Sequence, residues 1–149
     1  MDSRADIEQL LRDGNMVQTV IHGYSMYPML VPDRDSAIVA PFGDRQPKRG
    51  DVVLYRRDGS ILVLHRIWRV RQEGIYLVGD NQTQIEGPLR PDQMRGVLIS
   101  FIRKGKHISV GNIPYRLYAV VWLWMRPIRH IMAVMVHFIK VCVKRMLGR

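Results

Sequence analysis

The sequence predicts a mainly β protein: an antiparallel sheet or partial barrel with a short N-terminal helix and a C-terminal amphipathic helical tail. Three observations lead to this prediction. Short β-rich runs follow one another at close spacing, and turn-forming residues separate them. Many short strands at such spacing favour antiparallel pairing over a parallel α/β sheet. The last third of the chain is apolar and basic and reads as helix.

The first segment, residues 1–15, is predicted to form one short helix that runs from Asp2 to Asp13. Ser3 or Asp2 can cap its N-terminus, because a short polar side chain accepts hydrogen bonds from free amides there. Gly14 can end it, since glycine adopts the left-handed conformation that often follows a helix.

The second segment, residues 16–112, holds the predicted strands. Its clearest unit is a hairpin that turns at Asp58-Gly59, because Asp-Gly favours the turns that match the twist of paired strands. The predicted strands are Met16–His22, Ser36–Ala40, Asp51–Arg57, Ile61–Val70, Ile75–Val78 and Gly96–Arg103.

The charge is unevenly divided along the chain. The 149 residues contain 23 Lys and Arg against 13 Asp and Glu, a net charge of +10. Acidic and basic residues cancel over residues 1–102, and residues 103–149 contain no acid. The basic segment is also rich in Val, Ile, Leu, Met and Trp, which a solvated nucleic-acid tail does not need. We therefore expect no nucleic-acid partner.

The third segment, residues 113–149, is predicted to form two helices divided at Arg126-Pro127. Beyond the proline, a helical wheel gathers a narrow basic face opposite a wide apolar one. We therefore expect residues 113–147 to bind an anionic lipid surface. The alternatives are that the tail packs on the sheet, forms a helical hairpin in solution, or inserts in the membrane. Its longest uncharged run, Leu117–Met125, is shorter than the ~20 residues that span a bilayer.

Several classes of site and signal are absent from the sequence. Cys142 is the only cysteine, so an internal disulfide framework and a CxxC metal site are excluded. His107, His130 and His137 lack the spacing of a zinc site, and we expect neither metal nor cofactor. The N-terminus has no apolar h-region, so no cleavable signal peptide is predicted.

Three residues could carry nucleophilic chemistry. Ser25 lies in a turn-forming segment after a predicted strand, His65 lies in the second arm of the hairpin, and Asp80 follows a further strand. By residue type they are a candidate nucleophile, base and orienting acid. Such residues are common, so their presence alone decides nothing.

Four motifs around these residues are more specific. In chain order they are Gly-x-Ser-Met-x-Pro-x-Leu from Gly23, Lys-Arg-Gly-Asp-Val-Val-Leu from Lys48, Val-Leu-His-Arg-Ile from Val63, and Gly-Asp-Asn from Gly79. Together they resemble the S24/S26 serine peptidases, which include type I signal peptidases and self-cleaving repressor peptidases. The resemblance extends from about His22 to Ser100 and implies a mostly antiparallel β fold with a substrate groove.

The resemblance assigns roles to individual residues. It implies that Ser25 is the nucleophile and that His65 is the general base, where most bacterial members carry lysine. Histidine followed by arginine is similar to the endoplasmic-reticulum and archaeal signal peptidase subgroup. The Gly-Asp-Asn motif favours Asp80 as the acid that orients His65, and Glu86 is the alternative acid.

The segment around the nucleophile departs from the family pattern. The Ser25 backbone N–H is the expected oxyanion donor. Gly23 stands where signal peptidases often have a second serine, and Tyr24 replaces the usual glycine. Met26 and Pro28 are expected to shape the substrate groove.

The resulting functional expectation is a serine endopeptidase that cleaves a signal or leader segment from a peptide or small protein. The alternatives are a catalytically inactive peptide-binding module and a self-cleaving regulator of the same fold. We expect the protein to be membrane-associated, on the cytoplasmic face.

Overall fold

A computed structural model describes residues 3–59 and 61–146 of the chain. The elements in chain order are α1 (Ser3–Arg12), β1 (Val17–Val20), β2 (Asp35–Ala40), β3 (Val52–Arg56), β4 (Leu62–Arg71), β5 (Gly74–Val78), β6 (Ile85–Leu89), β7 (Met94–Arg103), β8 (Lys106–Ser109), α2 (Ile113–Trp124) and α3 (Arg126–Met146), with a 3-10 turn at Pro91–Gln93. The mainly β fold predicted from the sequence is confirmed.

The strands form one antiparallel sheet in the order β1-β2-β7-β3-β4-β5-β6, and β8 pairs with β7. The predicted Asp-Gly hairpin joins β3 to β4, with Arg56 opposite Leu62 and Val53 opposite His65. Gly59 has a φ of 67°, as a left-handed turn position requires. The turn sets the register of β3 and β4, and this register places His65 opposite Val53.

Two hydrophobic clusters lie on opposite faces of the sheet. Strand β3 is buried on both, since its alternate residues enter different clusters. Val52 and Leu54 belong to the larger cluster, while Val53 and Tyr55 belong to the smaller one. The middle of the sheet is therefore a rigid support for the side chains that β3 and β4 carry.

Helix α1 is attached to the sheet through its apolar and acidic side chains. Leu11 is buried in the larger cluster, and Glu8 accepts hydrogen bonds from Arg56 at 2.7 Å and Arg95 at 2.8 Å. The hydrogen bond from Arg56 is the largest cause that lowers the pKa of Glu8. Gly14 follows the helix with a φ of 86°, as predicted. The predicted caps, Asp2 and the Ser3 side chain, lie outside the described part of the chain.

The two C-terminal helices differ in their burial. The inner face of α2 packs into the larger cluster, through Tyr115 and Ala119, so α2 is part of the core. Helix α3 leaves apolar side chains such as Ile131, Met135 and Phe138 more than half exposed. Among the described residues, no single helix is long and apolar enough to span a membrane. By length and composition alone, α2 and α3 together pass that test, with a bend of 56° between them.

Candidate active site

Ser25 lies in the irregular segment between β1 and β2, which turns sharply around it. The Tyr27 amide donates to the carbonyl of Tyr24 at 3.1 Å, and the Leu30 amide donates to Met26 at 2.9 Å. Met26 and Leu30 are buried in the larger cluster, while Ser25 itself is half-buried. The segment is thus anchored by apolar side chains on either side of a serine that solvent still reaches.

The Gly-Asp-Asn turn, residues 79–81, holds the serine from the other side. The Asn81 amide donates a 2.8 Å hydrogen bond to the carbonyl of Ser25. A Cβ atom on Gly79 would lie 2.7 Å from that same carbonyl oxygen, closer than any side chain fits. Two motifs more than fifty residues apart in sequence therefore meet at the backbone of the candidate nucleophile.

His65 lies in the middle of β4 and is almost completely buried, with 1% of its surface exposed. Its Nδ1 atom lies 3.2 Å from the Tyr55 hydroxyl and 3.5 Å from Oε1 of Glu86. The Tyr55 hydroxyl donates a 2.6 Å hydrogen bond to Oε2 of Glu86, which Arg57 also binds. A chain of polar contacts thus runs from Arg57 through Glu86 and Tyr55 to the imidazole.

The donors and acceptors in this series of contacts determine which nitrogen of His65 carries the proton. Burial raises the pKa of Tyr55, and its contact with Glu86 raises it further, so the phenol keeps its proton. Because that proton is donated to Glu86, the phenol oxygen can only accept a hydrogen bond from Nδ1–H of His65. When His65 is neutral, its free lone pair is therefore on Nε2, because Nδ1 carries the proton and faces Tyr55.

The charges around His65 favour its neutral form near neutral pH. Burial lowers the pKa of His65; the Glu86 carboxylate raises it, the Arg57 guanidinium lowers it, and the net shift is downward. Burial also opposes ionisation of Glu86, but the hydrogen bonds from Tyr55 and Arg57 outweigh it and lower the pKa of Glu86. The pair is therefore a carboxylate beside a neutral imidazole.

Asp80 is bound elsewhere. Its carboxylate accepts two hydrogen bonds from Arg66, each 2.7 Å, in a completely buried ion pair. Within the described residues no hydrogen bond or ion pair joins Asp80 to His65, whereas Glu86 lies beside it. The sequence favours Asp80 over Glu86 as the orienting acid, but the structure places Glu86, and not Asp80, beside His65. The reason is that the arginine next to His65 in sequence occupies both oxygens of Asp80.

Ser25 and His65 line the same cavity, which has a volume of about 720 Å³. Residues of β1 and β4 form its walls, including Thr19, Val20, Leu62 and Leu64. Of the two residues expected to shape the groove, Met26 is among those lining the cavity. Pro28 is half-buried and is not among the described lining residues.

The C-terminal helices contact the Gly-Asp-Asn turn directly. Trp122 donates from Nε1 to the carbonyl of Asp80 at 2.9 Å, and Arg129 donates to the same oxygen at 2.6 Å. Arg126 donates to the carbonyl of Thr83. The junction of α2 and α3 therefore covers the turn that holds Ser25.

Sequence reasoning misses Tyr55, Arg57 and the Arg66–Asp80 pair. The register of the predicted hairpin could have identified Tyr55. Val53 is opposite His65, and Tyr55 lies two residues further along the same face of β3. For a metal, the described residues contain no group of three or more His, Cys, Asp or Glu side chains that could hold an ion.

No curated protein and no solved structure matches the chain. A family model described as peptidase S24-like matches residues 4–98, which is more than half of the chain and includes Ser25, His65 and the Gly-Asp-Asn turn. The antiparallel fold is consistent with that family, which suggests a serine peptidase or a self-cleaving regulator of the same fold. The chain belongs to the peptidase S24-like family.

Proposed function

We propose that the protein is a serine endopeptidase that cleaves a signal or leader segment from a peptide or small protein, with Ser25 as nucleophile and His65 as general base. The observation that carries the proposal is the shared cavity, onto which a half-buried serine and a buried histidine both open. The relay through Tyr55 and Glu86 supports it, because a base needs a fixed tautomer and a partner for its second nitrogen.

The chemistry requires two acyl transfers. Ser25 Oγ attacks the scissile carbonyl carbon while Nε2 of His65 accepts the hydroxyl proton. The tetrahedral intermediate collapses, the peptide C–N bond breaks, and the imidazolium returns its proton to the leaving amine. A water molecule, deprotonated by the same nitrogen, then hydrolyses the acyl-enzyme and restores Ser25.

The negative charge that develops on the carbonyl oxygen needs a hydrogen-bond donor. The Ser25 amide is the proposed oxyanion donor, and in the described part of the chain no carbonyl or side chain accepts a hydrogen bond from it. One such donor is worth roughly 3 kcal/mol when it is preorganised. Glu86, about 3.5 Å from the imidazole, stabilises the imidazolium that forms in the same step.

The walls of the cavity suit an extended peptide. Strand β1 forms one edge of the sheet and has β2 as its only neighbour in the described sheet, so a substrate strand can pair with its free side. Apolar side chains of β4, Leu62 and Leu64, line the same cavity. An extended apolar segment, such as the end of a signal or leader sequence, is complementary to this groove.

The proposed histidine base favours the Ser/His subgroup, which resembles endoplasmic-reticulum and archaeal signal peptidases. The Arg66–Asp80 pair supports this assignment, because it gives the arginine after the histidine a structural task. In this account the ion pair fixes the Gly-Asp-Asn turn, and Glu86 orients the base.

The proposed place of work is an anionic membrane surface on the cytoplasmic side, reached through residues 113–147. The exposed apolar side chains of α3 and the absence of acids after Ile102 support this proposal. Flotation with phosphatidylglycerol vesicles, comparing the full chain with one that ends at Met125 and so keeps α2 in the core, tests it. Equal flotation of the two chains would contradict the role of the tail.

Cleavage of candidate leader peptides tests the catalytic proposal. Ser25→Ala and His65→Ala should each abolish cleavage while circular dichroism shows an unchanged fold. Processing by both variants would refute the assignment. Tight binding of the peptide by wild type without cleavage would instead favour the peptide-binding module, and cleavage within the chain itself would favour a self-cleaving regulator.

A further inference from the structure

A second cavity, about 820 Å³ in volume, lies away from Ser25 and His65. The turn before β3 and one side of α2 form its walls. Its lining is basic in one part and apolar in another. Lys48, Arg49 and Arg116 supply positive charge, while Val120 and Trp124 supply an apolar wall.

The three cations have no anionic partner among residues 3–59 and 61–146. The lining contains a single acid, Asp51, and Arg45 binds its carboxylate at 2.5 Å. The other oxygen of Asp51 accepts the Lys48 amide at 3.0 Å, which shapes the turn. The positive charge of Lys48, Arg49 and Arg116 is therefore available to a ligand.

The turn that presents these charges is fixed from inside the domain. Arg66, which is completely buried, donates a 2.9 Å hydrogen bond to the carbonyl of Gly50. The amide of Gly50 in turn donates to the carbonyl of Ile67 at 2.9 Å. The backbone between Lys48 and Asp51 is thus tied to β4, so the cations project from a positioned turn.

The side of α2 that lines the cavity is basic at one end and apolar at the other. Arg116, Val120 and Trp124 are spaced four residues apart and lie in one row along the helix, about 12 Å from end to end. The charge is at the start of the row and the apolar side chains follow it. Val120 is 63% exposed and Trp124 is 74% exposed, so the apolar end of the row opens to the surroundings.

We propose that this cavity binds one anionic phospholipid molecule, with its phosphate between Lys48, Arg49 and Arg116 and an acyl chain along Val120 and Trp124. Charge complementarity selects an anionic headgroup, and the apolar end of the row selects an amphiphile over a free anion. This inference rests on the proposed membrane association, to which it adds a specific headgroup site on the folded domain.

Monomeric lipid tests the site without a bilayer. The full chain is titrated with dihexanoyl phosphatidylglycerol below its critical micelle concentration, and binding is followed by tryptophan fluorescence and by chemical shifts. Dihexanoyl phosphatidylcholine and glycerol 3-phosphate are the comparison ligands. The wild type should bind the phosphatidylglycerol at least about tenfold more tightly than either comparison ligand.

Two variants of equal charge separate the site from general electrostatics. Lys48→Gln/Arg49→Gln/Arg116→Gln should weaken phosphatidylglycerol binding by about tenfold or more. The matched variant Arg71→Gln/Lys104→Gln/Lys106→Gln removes three exposed cations elsewhere and should retain wild-type affinity. Circular dichroism and thermal unfolding verify that both remain folded.

Four results would overturn the proposal: no binding of phosphatidylglycerol by the wild type, equal losses in the two variants, equal affinity for phosphatidylcholine, or equal affinity for glycerol phosphate. The last result would identify a free-anion site. Peptide cleavage in lipid-free solution is measured in parallel and should be the same for both variants. A wild type that binds lipid but cleaves nothing would refute the peptidase and leave the lipid site standing.

Discussion

The carboxylate of Glu86 lies 3.5 Å from Nδ1 of His65, and the Tyr55 hydroxyl bridges the two groups. Asp80, the acid that the Gly-Asp-Asn motif suggests, is instead bound by Arg66 in a buried pair. The structure thus gives the two acids different positions. One is placed to act on the proposed base, and the other holds the turn behind the proposed nucleophile.

Asp80→Asn should primarily reduce stability. It leaves the buried Arg66 guanidinium without its anion, a change that costs about 3–5 kcal/mol when a buried pair loses one partner. Urea unfolding measures the loss. A variant as stable as wild type whose kcat falls a thousandfold would show that Asp80 acts on the chemistry.

Glu86→Gln should lower kcat by roughly 100-fold, the lower end of the range for a positioned acid–base group, because the imidazolium loses its counter-charge. Tyr55→Phe should reduce kcat in the same direction, since it removes the bridging hydroxyl. In both variants KM for a peptide should change little. Wild-type kcat in Glu86→Gln would contradict the relay.

The acid limb of kcat/KM should follow the titration of His65. His65 must be neutral to act as the base. Burial lowers its pKa below the usual 6.5, so kcat/KM should begin to fall only at a pH below 6.5. The Glu86 charge raises this pKa and the Arg57 charge lowers it. Glu86→Gln should therefore shift the limb to lower pH, and Arg57→Gln should shift it to higher pH. Shifts in one common direction would contradict the assignment.

Gly79→Ala should displace Ser25. The new methyl group would lie 2.7 Å from the Ser25 carbonyl oxygen and 2.7 Å from Oε1 of Gln82, so the Gly79 turn and Ser25 cannot keep their present separation. We expect kcat to fall by about 100-fold, since small misplacements of a reacting group have effects of this size. Gly111→Ala is the control, because its methyl group meets only the Ser109 hydroxyl at 3.4 Å. Equal activities of the two variants would contradict the role of the turn.

Much of the fold is predictable from local patterns. The hairpin, the six predicted strands and the division of the tail near Pro127 all correspond to observed elements. Strands β6 and β8 are missed for physical reasons. Ile85–Leu89 contains glycine and proline, which a strand tolerates at a sheet edge, and Lys106–Ser109 is short and mostly polar. Each pairs with the strand just before it in the chain, so what is missing is a strand pattern in the residues themselves.

The site is only partly predictable because its contacts join segments that are distant in sequence. Ser25 and His65 belong to motifs, so each can be located in the sequence. The choice between Asp80 and Glu86 depends on which acid Arg66 binds, and that depends on the three-dimensional placement of the turn after β5. Likewise, the contact of Trp122 and Arg129 with Asp80 joins segments about forty or more residues apart.

Labelling with a fluorophosphonate probe, mapped by mass spectrometry, tests whether His65 activates Ser25. Wild type should be modified at Ser25, His65→Ala should be modified at least about 100-fold more slowly, and Glu86→Gln should be intermediate. Modification of another serine, or equal labelling of Ser25 in wild type and His65→Ala, would contradict the claim that His65 activates Ser25.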